Sequence, residues 1–162
     1  RAPQCEECPV ALLCRTRAEG RQSQIPRPKV KPRFEAVHEA AVLVRRAQRV
    51  LLVQWPEGRR WAGLWDFPRF PIDGEQSSEL RRQLIENVRE LTGVTVRPGA
   101  HLKTLHHGVT RFRITLDCYD AEYVSGQRRR VNSLPIRWLT PADLEQCPLN
   151  STGRKLARLA SP

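Results

Sequence analysis

At 162 residues and 18.6 kDa the chain suits one compact domain plus an extended segment. No apolar run approaches the ~18 to 20 residues that a bilayer-crossing helix needs, so no membrane partner is expected. A formal net charge of +11, with 24 arginines among 28 basic residues, points first to nucleic acid, because guanidinium forks pair with phosphates and stack on bases; a codon bias placing Arg where Lys would serve is the alternative.

The sequence begins at Arg1, contains no methionine and shows no charged-then-apolar leader, so it reads as a piece cut from a longer polypeptide. Its first feature is "CEECPVALLC", where Cys5, Cys8 and Cys14 stand at C-x2-C-x5-C. Thiolates are soft ligands, and such spacing suits an iron-sulphur cluster, with half of a zinc site as the runner-up. Five cysteines make an odd count, which argues against a disulfide framework and for a reducing, intracellular compartment. Cys118 and Cys147 are expected to be plain buried thiols.

Residues 15–36 carry three prolines and alternating basic residues, and read as a semi-extended linker. Ala40 to Val44 and Val50 to Trp55 then give a strand, turn, strand signal. In "WAGLWDFP" the large side chains of Trp61, Leu64, Trp65 and Phe67 surround Gly63; both tryptophans are expected in the core or against the linker. "SSELRRQLIENVRELTGV" predicts a helix with Ser77 or Ser78 as cap, a stripe of Leu80, Leu84, Val88 and Leu91, and Gly93 as stop. "HLKTLHHGV" and "TRFRITLDCYDAEYV" alternate like a hairpin, with His106 and His107 as hydrogen-bonding residues near a strand end. "SGQRRRVNS" is a basic loop, "LPIRWLT" a last strand, "PADLEQC" a short helix, and "STGRKLARLA" a terminal helix with a basic outer face. Strands mixed with a few helices predict an α+β sandwich.

Two motifs in order carry a resemblance. "PQCEECPVALLC" resembles the end of the iron-sulphur motif of MutY-type adenine DNA glycosylases, C-x6-C-x2-C-x5-C. "LLVQWPEGRRWAGLWDFP" resembles the start of that family's C-terminal module, with a Pro-rich basic linker between the two. The resemblance implies residues 1–14 as the end of a 4Fe-4S motif ligated by Cys5, Cys8 and Cys14, with the first ligand just before Arg1. It further implies residues 15–36 as linker and 37–162 as a Nudix-like (MutT-like) α/β/α sandwich with a mixed sheet.

A Nudix hydrolase would need the box G-x5-E-x7-R-E-U-x-E-E-x-G-U. Ended on Gly93 and Val94, its reactive part falls on Glu86, Asn87, Val88, Arg89, Glu90 and Leu91, so one metal-binding carboxylate stays in register. Glu79, Glu86 and Glu90 share a helical face that could hold magnesium, but an exposed face paired with Arg82 and Arg89 is the favoured reading. Where the resembled family places F-[ST]-H, a turn that probes 8-oxoguanine opposite adenine, this chain has Val109, Thr110 and Arg111. The resemblance implies that these, flanked by His107 and Arg113, face the lesion strand. As residues alone, a hairpin tip with Gly108 is an ordinary turn.

The function expected is lesion recognition in base excision repair, on duplex DNA bearing 8-oxoguanine:adenine. The partners implied are the missing N-terminal catalytic domain and, through the linker, other repair proteins. The location implied is DNA-associated, in nucleus, mitochondrion or bacterial cytoplasm. A divergent Nudix hydrolase of oxidised nucleotides and a nonspecific basic module are the alternatives.

Overall fold

A computed structural model describes residues 3–25, 27, 33–73, 77–127 and 134–160, and the chain divides into two compact units, 1–33 and 34–162. In the first unit a 3-10 turn (Ala11–Leu13) leads into α1 (Arg15–Ala18). The carbonyl of Cys8 accepts from Ala11 N at 2.9 Å and that of Cys14 from Ala18 N at 3.1 Å, so two of the three cysteines sit where the backbone turns. Glu19 gathers Arg15 and Arg21 at 2.6 and 2.9 Å. The expected semi-extended linker is therefore helical at its start, because a run without proline from Arg15 to Ala18 permits a turn.

In the second unit, β1 (Glu35–Arg46), β2 (Arg49–Gln54), β3 (Trp65–Asp66), β4 (Arg69–Pro71), β5 (Val94–Val109), β6 (Phe112–Gly126) and β7 (Ile136–Leu139) form one mixed sheet among the described residues. Its order is β3-β2-β1-β6-β5, with β4 on β1 and β7 on β2; β1 and β6 run parallel, the other pairs antiparallel. β1 starts inside the stretch expected as linker, since Glu35 and Ala36 are recruited into register with Phe112 and Arg113 of β6. β5 likewise starts at Val94, seven residues before His101, directly after the helix. Residues 128–133 of the expected basic loop lie outside the described residues.

Helices cover both faces. α2 (Ser77–Thr92) packs Leu84 and Val88 onto Ala40, Val42, Val44 and Leu51; α3 (Pro141–Gln146) and α4 (Ser151–Ala160) bring Leu144 and Leu156 onto Ala41, Leu43, Leu52, Phe67 and Leu116. Ala40 to Val44 is a continuous apolar run because a central strand is buried on both sides. Each such large side chain contributes roughly 1.5–3 kcal/mol through burial. Ser77 and Ser78 open α2 as its first two helical residues. At its end Gly93 takes φ 77°, a left-handed stop that other residues adopt at a cost. Thr140 caps α3 in a capping box with Asp143. The result is the expected α+β sandwich.

Candidate nucleic-acid interface

β5 and β6 end in the pair Val109↔Phe112, leaving Thr110 and Arg111 as a two-residue loop. Strand alternation sends Leu105, Val109, Phe112 and Ile114 towards the core shared with α4, and leaves Gly108, Thr110, Arg111 and Arg113 exposed. Thr110 takes φ 51°, a left-handed conformation that is a genuine outlier for a β-branched residue. Arg111 Nε lies 3.2 Å from Glu35 Oε1, and its carbonyl accepts from Glu35 N at 2.9 Å, which ties the tip to the start of β1. Arg113 stacks its guanidinium 4.1 Å from the Phe34 ring centre. Thr110, Arg111 and Arg113 are thus gathered at one exposed edge, while Val109, half-buried beside them, packs against the core.

His107 points the other way. Its ring is half-buried and its Nε2 stands 3.2 Å from Arg69 Nη2. Arg69, only 4% exposed, donates from Nε to the Glu39 carboxylate and from Nη1 to Thr152 Oγ1 at 3.2 Å. Thr152 donates to Asn150 Oδ1 at 2.8 Å, and Asn150 donates to Asp66 Oδ2 at 2.6 Å. A buried polar chain thus runs from β3 through the start of α4 to β4 and the hairpin. Burial pushes the Asp66 carboxyl up to about 6, against the pull of Asn150 and Arg69. Burial, and then Arg69, hold the His107 imidazole below its ordinary range.

Trp61, expected in the core or against the linker, is half-buried and outside both apolar clusters. It takes φ 65°, with Arg69 Cζ 4.4 Å and Arg60 Cζ 5.4 Å from its ring centre. Arg60 also lies 4.8 Å from the Phe112 ring and 3.6 Å from Glu39 Oε1. A cleft of about 360 Å³ opens between Trp55, Arg60, Trp61, Arg69 and Phe70. Trp65, by contrast, is core as expected. Sequence reasoning passed over Glu39, Arg60 and Arg69. The available signal was Arg69 itself, a cation inside the apolar run "DFPRFPI".

On α2, Glu79 and Glu86 are held by Arg82 at 2.6 and 3.4 Å, and both are exposed or nearly so. The side-chain amide of Asn87 donates to Gln83 O at 2.8 Å, and Leu91 packs against the core. At the two box positions beside Glu90, a carboxylate is replaced by an amide and by a core aliphatic. Cys5, Cys8 and Cys14 are free, half-buried thiols. Their donor chemistry suits iron, yet among the described residues no three His, Cys, Asp or Glu side chains are grouped to hold a metal. Cys118 and Cys147 are buried as expected, and burial raises the Cys118 thiol to about 12.

A mixed sheet sandwiched between one long helix and a pair of shorter ones, with a box-like segment closing that long helix, is the architecture of Nudix proteins. The chain belongs to the NUDIX domain family, whose model matches residues 40–159. It is 29% identical over 116 residues to the adenine DNA glycosylase of Homo sapiens, covering 68% of this chain and 20% of that protein. It is also 24% identical over 116 residues to the CTP pyrophosphohydrolase of Escherichia coli K12, covering 72% of this chain and 84% of that protein. The chain therefore spans about a fifth of the glycosylase it matches. Among solved structures, the MutT protein of Methanosarcina mazei Go1 superimposes with a TM-score of 0.66 at 19% identity, covering 82% of this chain and 96% of that one, a likeness of fold alone.

Proposed function

We propose that this Nudix domain reads 8-oxoguanine:adenine mispairs in duplex DNA and does so without hydrolysing nucleotides, as the recognition part of an adenine DNA glycosylase in base excision repair. The observation that carries the reading is Thr110. A two-residue hairpin loop demands a positive φ at its first position, which glycine or asparagine ordinarily supplies; a β-branched threonine held there at φ 51°, exposed and outside the core, is a choice that packing does not explain and supports a functional reading. 8-Oxoguanine exchanges the N7 acceptor of guanine for an N–H donor and gains a C8 carbonyl; the Thr110 hydroxyl can accept from the one and donate to the other. Val109, smaller than an aromatic, would wedge little into the stack, while Arg111 and Arg113 supply phosphate contacts. His107 serves from behind, on Arg69. Extruding a base costs a few kcal/mol, so contacts on the lesion strand supply both selectivity and compensation.

In this reading Cys5, Cys8 and Cys14 are three ligands of a 4Fe-4S cluster completed elsewhere in the parent protein. The parent's catalytic domain, and other repair proteins docking on the linker, are its partners, and it works where DNA is. Glycosylase carboxylates are not part of the proposed site, so adenine excision belongs to that other domain.

The second reading, a nucleotide pyrophosphohydrolase, draws on the match along 84% of the Escherichia coli enzyme. It predicts magnesium-dependent pyrophosphate release from CTP or 8-oxo-dGTP that falls in Glu86→Gln and Glu90→Gln. Asn87 and Leu91 at the metal-binding register speak against it.

The test is fluorescence anisotropy on matched duplexes carrying 8-oxoguanine:adenine or guanine:adenine, at several salt concentrations. The expected result is tighter binding of the lesion duplex, with the difference lost in Thr110→Ala. Equal affinity for the two duplexes, with a steep salt slope, would leave only a nonspecific basic module.

A further inference from the structure

We propose that His107 is the positioning residue of the reading hairpin: its neutral imidazole, seated on buried Arg69, holds the strand that carries Thr110, and protonation unseats it. This rests on lesion reading by that hairpin.

The hydrogen-bond inventory of the two side chains dictates the protonation state. A guanidinium has donors only, so at 3.2 Å from Arg69 Nη2 the His107 Nε2 must be the acceptor, with the ring proton on Nδ1. Arg69 cannot turn away to suit its neighbour. Its Nε and Nη1 are committed to Glu39 and Thr152, and its side chain is 2% exposed. A proton added to Nε2 would therefore set two donors and two positive charges face to face.

The remaining surroundings add to that repulsion. Arg60 approaches from the loop that carries Trp61, and Lys155 from α4; Glu39 on β1 opposes them, but its carboxylate is already shared between Arg69 and Arg60. Trp61 flanks the ring with centroids 6.4 Å apart, and Nδ1 is buried with no hydrogen-bond partner among the described residues, so none of these supplies a second bond to retain the imidazolium. His107 lies three residues before Thr110 and pairs with Ile114, hence the segment it anchors is the tip from Gly108 to Arg113. Asp66, which titrates near 6, belongs to the same polar chain through Asn150, Thr152 and Arg69, so a variant must separate the two groups.

The experiment has two arms, both on the full chain. Without DNA, NMR follows the His107 ring nitrogens and the amides of residues 108–113 between about pH 7.5 and about pH 4.5, a window that reaches below the ordinary imidazole range. The tip amides are expected to shift with the His107 midpoint. With DNA, the ratio of affinities for 8-oxoguanine:adenine over guanine:adenine is expected to fall at least about threefold across that range. His107→Gln keeps an acceptor for Arg69 and cannot titrate, so its ratio should change less than about twofold while Asp66 remains present. Tip amides that ignore the imidazole, or a glutamine variant that keeps the wild-type pH dependence, would overturn the proposal. Coupled amides with no lesion preference at any pH would instead sustain the anchoring and sink the lesion reading.

Discussion

Asn150, the residue before α4, donates to Asp66 Oδ2 of β3 at 2.6 Å across 84 positions of chain. Its own Oδ1 accepts from Gly153 N at 2.7 Å and from Thr152 Oγ1 at 2.8 Å, so one carboxamide caps the terminal helix and grips a buried carboxylate together. Asp66 Oδ1 takes the Phe67 amide at 2.9 Å. Asn150→Ala would leave Asp66 with an uncompensated oxygen, and we expect a loss of about 2–4 kcal/mol in urea unfolding.

Asp66 also makes stability depend on pH in an unusual sense. Its carboxyl is raised from 3.8 to about 6 in the folded chain, so the folded state holds this proton more tightly than the unfolded state. The contribution is full below the unfolded value and is lost as pH rises through about 6, a change on the order of a few kcal/mol. Unfolding midpoints of wild type and Asp66→Asn should therefore converge or cross as pH rises over that window, and parallel profiles would remove the claim.

Arg69 and Glu39 are a buried ion pair, and such pairs behave asymmetrically. Arg69→Leu leaves a carboxylate that is 8% exposed with only the longer contact to Arg60 at 3.6 Å, and is expected to cost about 3 kcal/mol. Glu39→Leu with Arg69→Leu removes both charges and is expected to recover most of that loss, a coupling that a double-mutant cycle reads directly.

Thr110→Gly should separate stability from recognition. Glycine accepts the left-handed backbone without strain, so the variant is expected to gain about 1 kcal/mol, seen as a melting temperature a few degrees higher. The hydroxyl is lost with it, and preference for the 8-oxoguanine duplex should vanish in the same protein.

Gly153 sits inside α4, where alanine ordinarily gains up to about 1 kcal/mol in helix propensity. Here an added Cβ would stand 3.1 Å from Asp66 Oδ1 and 3.4 Å from Asn150 Oδ1, both held by their own hydrogen bonds. Gly153→Ala is expected to destabilise by roughly 1–2 kcal/mol against the propensity trend, and a rise in the urea midpoint would refute it.

Thiol chemistry should sort the cysteines into two groups. Cys118 and Cys147 are buried, and burial raises both thiols, so a disulfide reagent should modify neither in the native protein. Cys5, Cys8 and Cys14 are half-buried and should react first, as mass spectrometry of partly labelled protein would show.

The elements legible in the sequence are those whose signals are local. The stripe Leu80, Leu84, Val88 and Leu91 repeats at the helical period and ends on Gly93, and α2 is there; the alternation on either side of Thr110 and Arg111 is the β5–β6 hairpin. The α+β sandwich follows from the same periods. The places of Asn87 and Leu91 on α2, one bonded to Gln83 O and the other packed on the core, could also be read in advance, because helical register is one-dimensional.

What only the tertiary structure decided is which side chains meet. Parallel pairing of β1 with β6 lengthens β1 to Glu35, and pairing of β1 with β4 sets Arg69 on Glu39; neither strand carries a local mark of its partner. Trp61 looks like core by composition and ends beside two arginines, while His107 looks like a DNA contact and is turned inward onto Arg69. A period of two says which face a residue occupies, but not what a distant segment will place against it. Burying a guanidinium demands partners from several elements at once, and those partners are assembled by the fold rather than spelled along the chain.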